Sequence, residues 1–307
     1  MRDRGKILVV RGGAIGDFIL TLPVLAALRA QFPETHLEVL GYPHIARLAL
    51  LAGSADAVRP IEARPLARFF ARGGELDETW RDYFGQFSIV LSFLYDPDGV
   101  FRTNLTRCGV RHFIEGPHRP EEAGTKHAAH ALLEPLSQLA IFNANTHPRI
   151  VVPGLEAGGS VRLALHPGSG GVRKNWPFPA WLALARAVIR ETDWRLVVVG
   201  GEAEGEVMSS LAEALPKDRC EFHLHLPLEE LARVLAGSAL FVGHDSGITH
   251  LAAAVGLPCL VLWGPTNEHV WRPLGSAVRL LRHDAGLSGL PVETVYQQIV
   301  EMMNHRV

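Results

Sequence analysis

The stretch LFVGHDSGITHLAAAVGLPCLVLWGPT, residues 240–266, indicates how this chain folds. An apolar segment (239–242) predicts a strand that leads into a polar turn, a helix begins near Ile248, and a second apolar strand follows at 259–262. Short apolar runs bounded by turn residues are typical of strands buried on both faces, as in parallel sheets covered by helices. The stretch therefore predicts an α/β fold with a parallel sheet.

The same alternation of apolar runs and amphipathic segments continues in both directions along the chain. At the other end, KILVV (6–10) predicts a buried strand, which is followed by a glycine-rich turn and a helix over 18–31. In the middle, NANTHPRIVVPGLEAGGS (143–160) concentrates Pro, Gly, Asn and Ser and predicts a linker. Because 307 residues are more than one core usually serves, we predict two domains, residues 1–155 and 156–307, with a last helix (292–305) that could return to the first.

The composition limits the classes of partner and compartment. Hydrophobic residues make up 48% and charged residues 20% of the chain, and the net charge is −2, so no global charge favours nucleic acid. The three cysteines are widely separated and lack metal-ligand spacing, which fits a reducing compartment. The first apolar run is short and no later one could span a bilayer. We therefore expect a cytoplasmic protein, at most peripheral at the inner membrane.

The turn in the opening stretch is a candidate anion site. Gly247 permits a close backbone approach at the point where a helix begins, and free amides at a helix start favour an anion. Ser246 and Thr249 add hydroxyl groups, His250 lies in the first helical turn, and Asp245 can fix the loop or a ligand hydroxyl. The alternative is a helix cap made by Ser246 or Asp245 alone.

A second candidate anion loop is HPGSGGVRKNWP, residues 166–177, which follows the predicted strand 161–165. Its backbone amides, and the hydroxyl of Ser169, can point at a phosphate. Lys174 lies just beyond the glycines, in a chain with only four lysines (Lys6, Lys126, Lys174, Lys217). A solvated surface lysine is the alternative interpretation. Two anion-ready loops in one half favour a diphosphate ligand.

The third candidate is RGGAIGDFILTLP, residues 11–23, where Asp17 stands at the start of a helix. Asp17 is either a helix cap or a catalytic carboxylate. A dinucleotide loop is a further possibility, but the glycines do not follow the GxGxxG order. The second predicted strand is followed by Gly41 and Tyr42 and does not end in an acidic residue. This absence also argues against an NAD-binding site.

At these three blocks the chain resembles glycosyltransferase family 9, the ADP-heptose:lipopolysaccharide heptosyltransferases. The matching segments are GDFILTLP (16–23), HPGSGGVRKNWP (166–177) and DSGITHLAAAVGLPCLVLWGPT (245–266). The resemblance implies a GT-B fold, with two facing Rossmann-like domains and the active site in the cleft between them. The chain departs from the family pattern at RGGAIGD, where serines are common before the Gly-Asp, and at His244, where a small or apolar residue is usual.

The resemblance also implies roles for single residues. It makes Asp17 the general base that takes a proton from the acceptor hydroxyl, and Lys174 the cation that neutralises the departing diphosphate. The family's glutamate on the donor ribose corresponds best to Glu202, with Glu204 and Glu206 close by. The block that would hold the donor phosphates comprises Asp245, Ser246, Gly247, Thr249 and His250.

The acceptor side is less marked in the sequence. In RPLARFFAR (64–72), a helix would place Arg64, Arg68 and Arg72 on one face beside Phe69 and Phe70. Such a face could meet an anionic lipid-linked acceptor at the inner membrane surface. The alternative is a solvated arginine face above two core phenylalanines.

The leading hypothesis is an inverting glycosyltransferase that moves a sugar, heptose from ADP-heptose, to a lipopolysaccharide-type or other glycan acceptor. We expect no metal and no bound cofactor, since Asp96-Pro97-Asp98 has DxD spacing but reads as a turn. Three alternatives stay open: a sugar-nucleotide binding protein without turnover, an NAD-dependent oxidoreductase, and a nucleotide-sugar epimerase.

Overall fold

The computed structural model of the protein describes residues 5–154, 160–171, 174–201 and 204–304. The chain divides into two compact units, Met1–Ile150 and Val151–Val307. The predicted boundary between residues 155 and 156 lies a few residues further along. Within these described residues, each unit contains one parallel sheet with helices between its strands. The predicted fold class, α/β with two parallel-sheet Rossmann-like domains, is confirmed.

The first unit is built on five parallel strands with β1 at the centre. The strands are β1 (Lys6–Arg11), β2 (His36–Gly41), β3 (Ala57–Pro60), β4 (Phe87–Ser92) and β5 (His112–Glu115), in the order β3-β2-β1-β4-β5. Leu8, Val9 and Val10 of β1 have no exposed surface, as expected for a strand covered on both faces. The helices are α1 (Ile15–Ile19), α2 (Leu22–Gln31), α3 (Pro43–Ala46), α4 (Leu48–Leu51), α5 (Glu78–Gly85), α6 (Val100–Arg107) and α7 (Ala128–Leu133).

The second unit is built on six parallel strands. They are β6 (Arg162–Leu165), β7 (Arg195–Gly200), β8 (Cys220–Leu224), β9 (Leu240–His244), β10 (Cys259–Leu262) and β11 (Val278–Leu281), in the order β11-β10-β9-β6-β7-β8. The last helix buries Val295 and Ile299 in the core of this unit. The helices are α8 (Phe178–Glu191), α9 (Gly205–Ala214), α10 (Leu228–Ala236), α11 (Gly247–Ala254), α12 (Glu268–Trp271) and α13 (Val292–Asn304).

The strand order explains where the glycine-rich loops lie. In the sheet of the second unit, β6 lies between β7 and β9, and in the sheet of the first unit β1 lies between β2 and β4. An open parallel sheet binds ligands outside the carboxyl ends of its strands, at the place where the strand order reverses. The loops after β1, β6 and β9 leave the sheets at such places.

The stretch 123–142 is rich in alanine and leucine, which predicts one long helix, and this prediction is wrong. The structure has α7, then a 3-10 helix over Glu134–Leu139 that contains Pro135, and Ala140 in the left-handed region (φ 56°). Proline has no backbone N–H and its ring clashes with the preceding turn, so an α-helix cannot continue through it. The predicted helix over 18–31 is likewise split into α1 and α2, with Pro23 in the first turn of α2.

The patterns in the sequence predict the central strands and miss every edge strand. The two sheets end at β3 and β5, and at β11 and β8. Each of these strands mixes apolar with polar residues and is only partly buried, as in HFIE of β5. A strand with one free edge needs no continuous apolar run, so it lacks the composition that marks its buried neighbours.

Within the described ranges, no helix combines the length and the apolar character that crossing a bilayer demands. Within the segment RPLARFFAR, residues Arg64–Phe70 form a 3-10 helix that ends before Arg72. In a 3-10 helix, side chains three residues apart share a face, so arginines four apart do not. The predicted single arginine face is therefore wrong.

Candidate active site

The loops after β6 and β9 form one polar site at the carboxyl ends of the central strands of the second sheet. β6 and β9 are hydrogen-bonded neighbours and run parallel, so the loops that follow them leave the sheet at the same end. We call the first the β6 loop (166–177, described at 166–171 and 174–177) and the second the β9 loop (245–246, followed by α11). Ser169, Lys174, Asp245, Ser246, Gly247, Thr249 and His250, all predicted from sequence, lie in these two loops or in the first turns of α11.

His244, the last residue of β9, is hydrogen-bonded to the β6 loop through both ring nitrogens. The backbone amide of Trp176 donates to its Nε2 (2.8 Å), and its Nδ1 lies 3.1 Å from the carbonyl oxygen of Gly168. An amide can only donate, so Nε2 accepts and the proton of the neutral ring is on Nδ1. Burial lowers the pKa of His244 to about 4, which keeps the ring in this form.

Lys174 is paired with Asp245 across the two loops. Its Nζ lies 2.7 Å from Oδ2 of Asp245; the lysine side chain is 37% exposed and the carboxylate 8%. The buried carboxylate therefore fixes a cation whose ammonium group still reaches solvent. The pair holds the ammonium group of Lys174 next to the β9 loop, with part of the lysine side chain open to an anionic ligand.

Ser246 closes the start of α11. Its Oγ accepts the amide of Thr249 (3.3 Å) and lies 3.4 Å from Nδ1 of His166. The hydroxyl of Thr249 donates to the carbonyl oxygen of His244, so its proton is engaged within the loop. Thr249 and His250 are both buried. The first amides of α11, together with the positive end of its dipole, are suited to an anion.

The β6 loop is held in shape by its own side chains and by a glutamate. Ser169 Oγ lies 2.6 Å from Oδ1 of Asn175 and 3.1 Å from the carbonyl oxygen of Gly171. Gly168 is packed against Glu204 so closely that a Cβ at residue 168 would overlap the glutamate side chain. Gly168 therefore has to be glycine for this contact to exist.

The three candidate ribose glutamates differ in position. Glu204 is buried, and its Oε2 accepts the backbone amide of Gly201 (2.8 Å). Glu206 is exposed in the first turn of α9. Glu202, the nearest match to the family pattern, lies outside the described residues. Glu204 contacts the β6 loop at Gly168.

The candidate base of the first unit lies in the first turn of α1, after β1. Oδ2 of Asp17 accepts the backbone amide of Ala14 (3.1 Å), so the side chain does cap the turn that precedes the helix. The carboxylate remains 25% exposed, which leaves it accessible to a substrate hydroxyl. Gly13 has φ +100°, and a Cβ there would come within 3.0 Å of Oδ2, so the turn requires glycine.

Arg11 supports this carboxylate from the interior. It is the last residue of β1, and its guanidinium group is buried with one nitrogen 3.8 Å from Oδ1 of Asp17. The same group donates to the carbonyl oxygen of His118 (3.0 Å). Burial lowers the pKa of Arg11, and the charge of Asp17 acts in the opposite direction. Arg11 therefore places a buried positive charge beside the carboxylate of Asp17.

Sequence patterns alone do not single out Arg11, His166 or Asn175 as parts of these sites. Arg11 and His166 share a positional signal, because Arg11 ends β1 and His166 directly follows β6, whereas Asn175 lies in the loop before α8. A polar residue at the carboxyl end of a buried parallel strand faces the usual binding edge of the sheet.

The DxD-spaced aspartates of the first unit serve other contacts. Asp96 accepts the backbone amides of Phe101 and Arg102 (3.1 and 3.0 Å) at the start of α6, and Asp98 pairs with Arg72 (3.1 Å). Residues 97 and 98 form a turn, as the sequence predicts. In the arginine-rich segment, Phe69 is buried, while Phe70 is 46% exposed and stacks on Phe101.

Comparison with known proteins gives consistent matches over both units. The sequence model of glycosyltransferase family 9 (heptosyltransferase) matches residues 126–289. Lipopolysaccharide heptosyltransferase 1 of Pseudomonas aeruginosa is 37% identical over 292 residues, which cover 85% of this chain and 79% of the relative. Lipooligosaccharide heptosyltransferase 2 of Haemophilus influenzae is 30% identical over 116 residues; there the match spans 36% of this chain and only 33% of the relative.

The fold is also that of a solved heptosyltransferase. The structure of Escherichia coli ADP-heptose lipopolysaccharide heptosyltransferase II superposes with a TM-score of 0.78 and 16% sequence identity, over 98% of this chain and 99% of the other. At this identity the likeness concerns the fold, and it confirms the predicted GT-B class.

Proposed function

Because this chain belongs to glycosyltransferase family 9, we propose that it transfers heptose from ADP-heptose to a lipopolysaccharide-type acceptor with inversion at the anomeric carbon. The observation that carries the proposal is the joined β6 and β9 loops, where the Lys174 cation and the start of α11 lie at one sheet edge. Family membership also removes the oxidoreductase and epimerase alternatives.

The donor diphosphate binds the second unit. The amides at the start of α11 and the ammonium group of Lys174 supply the positive charge, and Asp245 holds that ammonium group in place. When the bond to the sugar breaks, negative charge grows on the departing diphosphate, so these preorganised groups stabilise the transition state more than the ground state. We therefore propose that Lys174 and the helix start, without a metal ion or cofactor, neutralise the leaving group.

The nucleoside part of the donor is assigned with the help of the relatives. The superposing Escherichia coli enzyme carries ADP-heptose in its name, which supports ADP as the nucleotide here. Glu204 is buried beside Gly168, with its carboxylate bound to the amide of Gly201. We propose that the ribose hydroxyls are bound by the glutamates of this segment, Glu202 or Glu204.

The acceptor hydroxyl is deprotonated in the first unit. Asp17 is accessible, and its carboxylate is fixed by the amide of Ala14 and the nearby guanidinium of Arg11. A fixed carboxylate can remove the proton as the hydroxyl attacks the anomeric carbon from the face opposite the leaving group. The names of the lipopolysaccharide enzymes support a glycolipid acceptor. We further propose that this acceptor is met at the cytoplasmic face of the inner membrane.

The first experiment measures the thermal stability and the Kd of the protein with ADP, GDP, UDP and NAD. A ligand present at about a hundred times its Kd should raise the free energy of unfolding by about 2.7 kcal/mol. We expect stabilisation by ADP, lost in Lys174→Ala but kept in Lys217→Ala, a matched change outside the two loops. Stabilisation by NAD alone, or by none of the four, would contradict the proposal.

A further inference from the structure

His244 joins the two loops that hold the proposed donor phosphates. Its ring has no exposed surface and bonds to the β6 loop at two points, the carbonyl oxygen of Gly168 and the amide of Trp176. These partners lie before and after Lys174 in the sequence. A single side chain of the β9 strand therefore determines how both ends of the β6 loop are placed.

The surroundings of His244 make this connection rigid. The ring of Trp181 packs against the ring of His244 in a T-shaped arrangement, with centroids 5.4 Å apart at 85°. Trp176 in turn packs on Trp181, and its indole Nε1 donates to the carbonyl oxygen of Leu290 (3.0 Å). Both tryptophans are buried. The amide that His244 accepts thus belongs to a residue anchored in the core, two positions from Lys174.

The position of Lys174 depends on this anchor and on Asp245. Asp245 directly follows His244, so the residue that bonds the amide of Trp176 and the residue that bonds the ammonium of Lys174 are neighbours in the chain. If the imidazole bonds were lost, the buried amide of Trp176 and carbonyl of Gly168 would lack partners, which destabilises this loop conformation. The Lys174–Asp245 pair would then lose its fixed separation from the start of α11.

We propose that His244 is a positioning residue for donor binding: its neutral ring holds the β6 loop against the β9 loop and so places Lys174 on the diphosphate. The inference rests on the proposed function, because the ligand is the diphosphate of the donor. His244 contacts no reacting atom in this role. It acts through the amide of Trp176 and the carbonyl of Gly168.

The test compares three replacements of His244 by the Kd for ADP. His244→Phe keeps an aromatic ring against Trp181 but loses both hydrogen bonds, and we expect about a tenfold weaker Kd, because the β6 loop then no longer holds Lys174 on the diphosphate. In His244→Gln the amide oxygen can occupy the place of Nε2 and accept from Trp176. In His244→Asn the amide can occupy the place of Nδ1 and reach only Gly168. We expect Gln to restore most of the affinity and Asn less.

A matched control separates positioning from general destabilisation. Ile299→Ala removes part of a buried side chain from α13. Ile299 belongs to the same hydrophobic core cluster as Trp176 and Trp181 but is distant from both loops in sequence. This change should therefore lower the melting temperature without changing the Kd for ADP. In steady-state assays the phenylalanine variant should raise the donor KM and leave the acceptor KM unchanged.

Equal ADP affinity in folded wild-type and Phe variants would overturn the inference while leaving the proposed function in place. Equal weakening in Phe, Gln and Ile299→Ala variants would overturn it as well, because the effect would then follow stability. Failure of the wild-type protein to bind ADP, GDP or UDP would remove the proposed function and this inference together. If the Phe variant does not fold, the comparison of Gln with Asn decides: Asn binding as tightly as Gln contradicts the role of the Trp176 bond.

Discussion

The two glycine-rich sites of this protein are built in opposite ways. In the first unit, Asp17 is held by Ala14 and Arg11 and faces Gly13, residues within six positions of it. In the second unit, His244 bonds Trp176, and Lys174 bonds Asp245, pairs that are 68 and 71 residues apart in sequence. A local turn positions the carboxylate, whereas the cation depends on the packing of two strands. The first site should therefore tolerate damage to the sheet better than the second.

The largest expected effect concerns the local site. Asp17→Asn keeps an oxygen to accept the amide of Ala14 but removes the base, and we expect the transfer rate to fall by about 10²- to 10⁴-fold. The Kd for ADP should stay unchanged, because the donor groups lie in the second unit. Steady-state kinetics and calorimetry on the same sample measure both quantities. Full activity in Asp17→Asn would rule out its role as base, and activity absent from the wild type would favour a binding protein.

A matched pair of glycine changes tests the long-range site. Gly168→Ala would drive a methyl group into Glu204, whereas Gly170→Ala meets no atom within 4 Å. Overpacking of this kind costs about 1–3 kcal/mol, so we expect Gly168→Ala to be the less stable in urea unfolding and to bind ADP more weakly. If the two variants behave alike, the contact of Glu204 with the β6 loop is unimportant.

The pH dependence of stability gives a second test of the long-range site. Burial lowers the pKa of His244 to about 4 and that of His166 to about 3, both below the ordinary 6.5. A histidine kept neutral in the fold contributes stability that is complete above pH 6.5 and is lost as the pH falls from 6.5 towards 4. Lowering the pH from 7 to 5 should therefore reduce the free energy of unfolding by about 2 kcal/mol for each of these two histidines.

Urea unfolding at several pH values measures this loss. His244→Gln carries no titrating group at residue 244, so its stability should fall less steeply over the same range. An unchanged slope in His244→Gln would mean that His244 is not held neutral in the fold.

The smallest expected effect returns to the local turn. Gly13→Ala places a side chain at φ +100° and near the carboxylate of Asp17, which should cost about 1–2 kcal/mol of folding free energy. Gly12→Ala is the control, since its Cβ would make only ordinary contacts of 3.7 and 3.8 Å. Thermal unfolding compares the two variants. A neutral Gly13→Ala would show that the turn can relax, and the contrast between local and long-range sites would weaken.

The candidate site was partly predictable, and the reason differs from residue to residue. Asp17, Lys174 and the block from Asp245 to His250 follow from motifs, because glycines next to a strand end and a helix start constrain the backbone locally. His244 stood out in the sequence only as a departure from the family pattern. Its two hydrogen bonds reach residues more than 60 positions away, and no local pattern encodes them.

Sequence patterns were sufficient to predict the α/β class, the two units, the central strands and the loops that follow them. These features depend on short-range composition: apolar runs form strands buried on both faces, and glycines permit the turns. The folded structure was needed to establish the edge strands, the end of α7 at Leu133, the 3-10 form of the arginine segment and the pairing of the β6 and β9 loops. Each of these depends on which strands become neighbours or on backbone geometry within the packed unit, because a hydrogen bond between distant residues exists only after the sheet has assembled.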